Sequence, residues 1–294
     1  MDLQLWAELS SAISDVQQQL KPRPRDLHST AGIVRVHLWS VLHDRPTCWA
    51  CEPGSWTRHT CPAHLPDQST LSRRMRRDDF EDFLIGMSKR LKGRSQQWLM
   101  KIVDGKPLEL SHNSRDPDAA WGWGVSRKAR GYKLHVIHAG NHMPEDFVIT
   151  PLDTCEKQMA ARMIKRVGGG GYLLADTHYD ASWLFDHCNT NNHQLVCPRA
   201  KAGAGLGHHQ QSPQRLRAID MLEAPARINP FGPTLYCRRS DVERKFSNLT
   251  CFGGGLTVLP PWVRRIWRVR RWVWGKILVN AARDRIQQRR KLGA

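Results

Sequence analysis

From residue 98 to residue 199 the chain reads as strands in series, then strands alternating with helices. "WLMKIVD" is a short apolar run, "YKLHVIH" alternates as a strand, and "DFVITPL" alternates again after the turn-forming "AGNHMPE". "TCEKQMAARMIKRV" then has helical spacing, "YLLAD" is another apolar strand, "ASWLFDHCN" another helix and "HQLVCPR" a further strand. That order confines the fold to the α/β class, a mixed sheet flanked by helices. The "GGGG" after the first of these helices suits a flexible helix end. With no Lys-Ser or Lys-Thr behind it, it is not a phosphate loop.

The flanking segments differ. Residues 1–98 form an N-terminal helical region: "LQLWAELSSAISDVQQQL" and "AGIVRVHLWSVLH" are separated by the proline-punctuated "KPRPRD". "DQSTLSRRMRRDDFEDFLIGMSKRLKG" has helical periodicity behind a cap-like Ser69 or Thr70. Its basic run includes Arg73 and Arg74, which suit a DNA backbone; a solvated charged face is the alternative. The sheet domain is expected over residues 99–291, with 200–234, rich in Gly, Pro and Gln, as an insertion or long loop. Near the C-terminus, "IWRVRRWVWGKILVNAAR" turns Ile266, Trp267, Trp274, Ile277 and Leu278 toward one side. It is expected to pack on the sheet and present arginines to DNA, rather than to meet a membrane surface or a calmodulin-like partner.

Composition narrows the partner. Lys and Arg number 45 against 27 Asp and Glu, a net +18 that favours a polyanion, nucleic acid before membrane. No stretch has the apolar length of a bilayer span, and the amino terminus lacks the features of a signal peptide. The protein is therefore expected in the cytoplasm, with its eight cysteines mostly reduced. "CWACEPGSWTRHTCPAH" offers Cys48, Cys51, His59, Cys61 and His64 as a zinc set, but its second half is cramped for a known finger.

Two apolar strand candidates end in aspartate, Asp104 in "WLMKIVD" and Asp176 in "YLLAD". Each has a plain structural alternative: "DG" is a hairpin signal, and Asp176 suits a helix cap. "YCRRSDVERKF" places Tyr236, Arg239 and Glu243 at offsets of zero, three and seven, one face of a helix. An ordinary i,i+4 ion pair would also explain Arg239 and Glu243. Two strand-end aspartates and a later glutamate in a basic protein form a hard-oxygen set able to hold two divalent cations against a phosphodiester.

At these residues the chain resembles the DDE-type insertion-sequence transposases with a ribonuclease H-like catalytic core. "VDGKPLELSHNSRDPDAAWG" resembles the region of the family's first aspartate, "GYKLHVIHAG" its second strand and "YLLADTHYD" its second aspartate. "YCRRSDVERKF" is similar to the signature Y-x2-R-x3-E-x6-K, except that Thr250 stands where the final lysine is expected; Lys245 or Arg244 would substitute. The resemblance implies a ribonuclease H-like mixed sheet. It also implies metal-dependent cleavage at transposon ends with strand transfer into target DNA. Asp104, Asp176 and Glu243 would be the catalytic, metal-holding residues, with Mg²⁺ as two ions and Mn²⁺ as a substitute. Tyr236, Arg239 and Lys245 would contact DNA, and a homodimer on DNA is compatible with it. A nuclease of the same fold that cuts without joining, an inactive transposase-derived DNA-binding protein and a zinc-dependent nucleic-acid-binding module are the rival readings.

Overall fold

The computed structural model describes residues 3–20, 26–92, 99–140, 143–201, 211–225, 227, 230–251, 256 and 258–292, without the side chains of 242, 245, 250 and 251. The elements run α1 (Leu3–Gln19), α2 (Thr30–Leu42), α3 (Thr47–Ala50), α4 (Gln68–Arg74), α5 (Asp78–Lys92), β1 (Met100–Glu109), β2 (Ala120–Trp123), β3 (Lys128–His138), β4 (Asp146–Pro151), α6 (Glu156–Ile164), β5 (Gly171–Leu174), α7 (Ser182–Thr190), β6 (His193–Val196), α8 (Pro213–Glu223), α9 (Phe231–Cys237), α10 (Ser240–Cys251) and α11 (Ile266–Leu292). Two compact units result, one of residues 1–95, 249–256 and 260–294, the other of 96–248 and 257–259. Among the described residues no helix is long and apolar enough to cross a membrane.

The first unit is helical. α1 buries Leu5, Trp6, Leu9, Ile13 and Val16, and α5 buries Phe80, Phe83, Leu84, Met87 and Leu91, each an i,i+3/i+4 stripe. These stripes close on α2 and α11. The C-terminal helix therefore packs on the N-terminal helices, not on the sheet as its sequence suggested. The reason is that α11 is apolar on several sides at once: Val269, Trp272, Val273, Ile277, Leu278 and Ala281 are all buried. Its inward cations are matched by acids of this unit, Arg271 with Glu81 at 2.6 Å, Arg285 with Glu8 at 3.2 Å, and Lys276 with Asp44.

The long basic helix expected around Arg73 and Arg74 is two helices, α4 and α5. Its cap is Asp67, whose Oδ1 accepts from Thr70 N and from Ser69 Oγ, both at 2.7 Å. The cysteine-bearing loop is organised by indoles. Trp39 and Trp56 stack at 4.4 Å, Trp39 Nε1 donates to Ser55 O at 3.1 Å, and Trp56 Nε1 donates to Ala50 O at 2.8 Å. Cys48, Cys51 and Cys61 are free thiols, and among the described residues no three His, Cys, Asp or Glu side chains converge as a metal site.

The second unit holds the sheet, in the order β4-β3-β1-β5-β6, with β2 continuing the β4 edge of β3. β3 is antiparallel to both β1 and β4, and β5 and β6 run parallel to β1. This is the mixed sheet flanked by helices that the sequence predicted. Val103, Ile137, Leu173, Ala175, Leu195 and Cys197 point to one face and form a core with α6 and α7. α10 covers part of the other face, where the Lys106 ammonium sits 5.9 Å from the Phe246 ring. The segment expected as an insertion or loop contains α8, capped by Ser212, whose Oγ accepts from Arg215 N at 3.3 Å, with Pro213 in its first turn. Residues 202–210 of that segment lie outside the described residues.

Candidate active site

Asp104 is not at a strand end. β1 continues through Gly105 to Glu109, hydrogen-bonded to β3 throughout, with Asp104 opposite Val136. Pro107 is tolerated because β5 pairs only with Met100–Ile102, which leaves that edge of β1 without a strand neighbour demanding its N–H. β5 stops at Leu174, opposite Ile102. Asp104 and Asp176 are thus each two residues beyond one cross-strand pair. In adjacent parallel strands about 4.8 Å apart, the pleat sets both carboxylates side by side on one face. That is the mouth of a parallel strand pair, where sites in α/β sheets gather.

Burial pushes the Asp104 carboxyl up to about 6, and the negative charges of Asp176 and Glu156 push in the same direction. A 2.8 Å bond from Gly105 N and the charge of Arg239 oppose the rise. Asp176 also does the structural work foreseen for it. Its carboxylate accepts from His178 N at 2.9 Å and lies 3.1 Å from His178 Nδ1, capping the short turn of helix at Thr177–Tyr179.

The signature residues do not share one helix. Tyr236 belongs to α9 and Glu243 to α10, and Arg239 sits in the turn between them, its N–H bonded to Tyr236 O at 2.9 Å. Tyr236 Oη donates to Ala175 O at 3.1 Å, which ties α9 to the chain immediately before Asp176. Arg239 Nη2 donates to Glu243 Oε1 at 2.8 Å, so the plain ion pair exists. The same guanidinium is close enough to Asp104 to stabilise its charge. Arg239 is therefore paired with Glu243 and within electrostatic reach of Asp104, and Glu243 is exposed. The side chains of Lys245 and Thr250 lie outside the described residues.

Elsewhere, Arg73 is exposed on α4, whereas Arg74 is buried. The Arg74 guanidinium donates to His28 O at 2.6 Å and to Thr30 Oγ1 at 3.2 Å, and lies 3.2 Å from Asp26 and 3.7 Å from Asp79. With its guanidinium buried and both terminal nitrogens engaged inside the helical unit, Arg74 is not placed to meet DNA.

Glu156 was not singled out in the sequence. It accepts from Lys133 Nζ at 2.6 Å, and its carboxylate closes over Gly105, where a Cβ would lie 3.0 Å from Glu156 Cδ. The available signal was an acidic residue opening a helix directly after the third long strand, which by itself reads as a favourable helix-dipole residue.

As a cation site, the pair Asp104 and Asp176 fits. Both are hard oxygen donors; burial is the main cause of the rise at Asp104, and a divalent ion would relieve the lesser part that comes from the charge of Asp176. Glu243 is instead held by Arg239, and among the described residues no third acid converges with the two aspartates as a metal site.

No curated protein matches the chain. A solved piggyBac transposase synaptic complex with hairpin DNA aligns with 94% of this chain and 71% of its own, at 9% identity and a TM-score of 0.49, too remote to carry an argument. The family model described as "Transposase DDE domain" matches residues 100–257 and so spans both aspartates and the Tyr236–Glu243 signature. With more than half of its 294 residues matched, the chain belongs to the DDE-domain transposases.

Proposed function

We propose that this transposase cuts the phosphodiester at transposon ends and joins the freed 3′ hydroxyl to target DNA, with Asp104, Asp176 and Glu243 as its acidic triad. Family membership brings a requirement for a divalent metal; Mg²⁺, as two ions, suits the oxygen-only donor set. When bound, such ions supply Lewis acidity toward the attacking and leaving oxygens of an in-line displacement. The protein's own groups prepare the site. Tyr236 ties α9 to the end of β5, Gly105 N–H orients Asp104, and Arg239 offers its guanidinium to a backbone phosphate. When Arg239 turns to a phosphate, its partner Glu243 is released to join the two aspartates.

The observation that carries this reading is the side-by-side placement of Asp104 and Asp176 beyond the Ile102–Leu174 pair, with Arg239 within electrostatic reach. Asp104→Asn, Asp176→Asn and Glu243→Gln keep size and remove charge. Each is expected to lower cleavage of labelled end DNA in Mg²⁺ by orders of magnitude while end binding persists. Wild-type cleavage by any of them removes that residue from the site. Release of cut ends without strand-transfer products from wild-type protein would favour a nuclease.

A further inference from the structure

β2 carries two exposed tryptophans, Trp121 and Trp123, at 62% and 70% of full exposure, and neither ring has a hydrogen-bond or ring partner among the described residues. Their exposure follows from register. Gly122 between them faces inward, where a Cβ would lie 2.6 Å from Leu152 O, so no larger side chain fits there and the strand must turn its indoles outward. Trp121 pairs with Arg130 and Trp123 with Lys128 across to β3. The loop leading into β2 is fastened by the Arg130 guanidinium, which donates to Asp116 O at 2.6 Å and to Ser114 O and Ala119 O at 3.3 Å. The two indoles therefore stand on a held strand, not on a loose loop.

We infer that Trp121 and Trp123 form a stacking platform for unpaired bases of a DNA strand, which rests on the reading of the protein as a DNA-acting transposase. Strand residues i and i+2 are about 6.7 Å apart, roughly two aromatic thicknesses, which leaves the room of one base plane between two indoles. Only unpaired bases can offer their faces to such rings, since in a duplex those faces lie inside the stack. Charge selects the same occupant. Arg127, Lys128 and Arg130 lie on the hairpin, Lys133 is paired with Glu156, and the one carboxylate at the tip, Glu109, accepts from Val125 N at 2.7 Å, so the hairpin keeps an excess of positive charge that a second copy would repeat and a nucleic acid backbone would oppose.

Pleat alternation also relates the platform to the aspartates. Asp104 pairs with Val136 and Trp121 with Arg130, and both pairs are of even-numbered β3 residues, so the indoles project from the face of the sheet that carries Asp104. The six residue steps along β3 from Arg130 to Val136 span about 20 Å, or about six nucleotides at the rise of a stacked strand.

The test measures binding of full-length protein to labelled oligothymidine of about twenty nucleotides and to a duplex of the same length. Wild type is compared with Trp121→Ala/Trp123→Ala and with Trp121→Phe/Trp123→Phe. The alanine pair is expected to weaken single-strand binding roughly tenfold or more. The phenylalanine pair should retain most of it, and duplex affinity should be unchanged in both. Wild-type single-strand affinity in the alanine pair overturns the platform while leaving the transposase reading intact, as does a wild type that binds duplex but not the single strand. A wild type that binds neither DNA overturns both. Loss of self-association in the alanine pair, with DNA binding unchanged, assigns the face to a second copy and overturns the inference.

Discussion

Asp104 is buried, which is the main reason its carboxyl is raised, with the negative charges of Asp176 and Glu156 adding to the rise and Gly105 N and Arg239 opposing it. Its folded-state value of about 6 lies above the ordinary carboxylate value, so the folded protein favours the protonated form. The stability this confers is present in full below about pH 4 and is lost as pH rises through about 6. Asp104→Asn, which mimics the protonated side chain, is therefore expected to melt at a higher temperature than wild type at about pH 7.5, and at nearly the same temperature at about pH 4. Thermal denaturation at the two pH values checks this; a variant less stable at the higher pH would show that the neighbours support the charge. Arg239 separates two roles. As a surface pair with Glu243 it contributes a few tenths of a kcal/mol. As a phosphate contact, its loss in Arg239→Ala lowers the salt slope of end-DNA binding by about one while the melting temperature changes little. An unchanged slope together with unchanged cleavage would return Arg239 to the surface-pair role.

α4 shows how one short helix divides its cations. Arg73 and Arg74 are adjacent in sequence but one is exposed and the other buried, because successive helical residues are turned about 100° from each other. Arg74→Ala leaves Asp26 and Asp79 with Arg77 as the remaining nearby guanidinium and removes the donor to His28 O. A loss of about 2–3 kcal/mol in stability is expected from chemical denaturation. Arg73→Ala, exposed, should change stability by less than about 0.5 kcal/mol and reduce DNA affinity through the salt-dependent term. Equal stability of the two variants would refute the division. Among strands, β1 outruns its apolar stretch because β3 supplies partners as far as Gly131, opposite Glu109, and pairing outweighs the weak strand preference of "DGKPLE".

Over the whole chain the excess of 18 positive charges acts as a field, although part of it is spent internally: Arg74, Arg271 and Lys276 are buried against acids. The exposed remainder sets nonspecific affinity for DNA. With about six phosphates neutralised, binding to a duplex is expected to weaken about a thousandfold between about 50 and 200 mM salt. Affinity measured across that range checks it, and a nearly flat dependence would mean that the charge does not drive binding.

Periodicity alone located β3, β4, β5, β6, α6 and α7, because each carries a repeat of two or 3.6 in its own residues. The two aspartates and the Tyr236–Glu243 spacing were also legible, since side-chain identity and separation are properties of the chain. Where β1 ends was not, because its polar half is a strand only by virtue of β3. β2 was hidden for the same reason: "AWGW" buries no alternating apolar face, and its glycine is read only against Leu152. α8, which opens at Ser212–Pro213, lay in a stretch whose Gly, Pro and Gln content suggested a loop. Sequence cannot distinguish an arginine that meets solvent from one that meets an aspartate distant in the chain, and so Arg74 and the cations of α11 were assigned to DNA. Their surroundings come from helices that meet only on folding, whereas the nearness of Asp104 to Asp176 required the parallel pairing of β1 with β5.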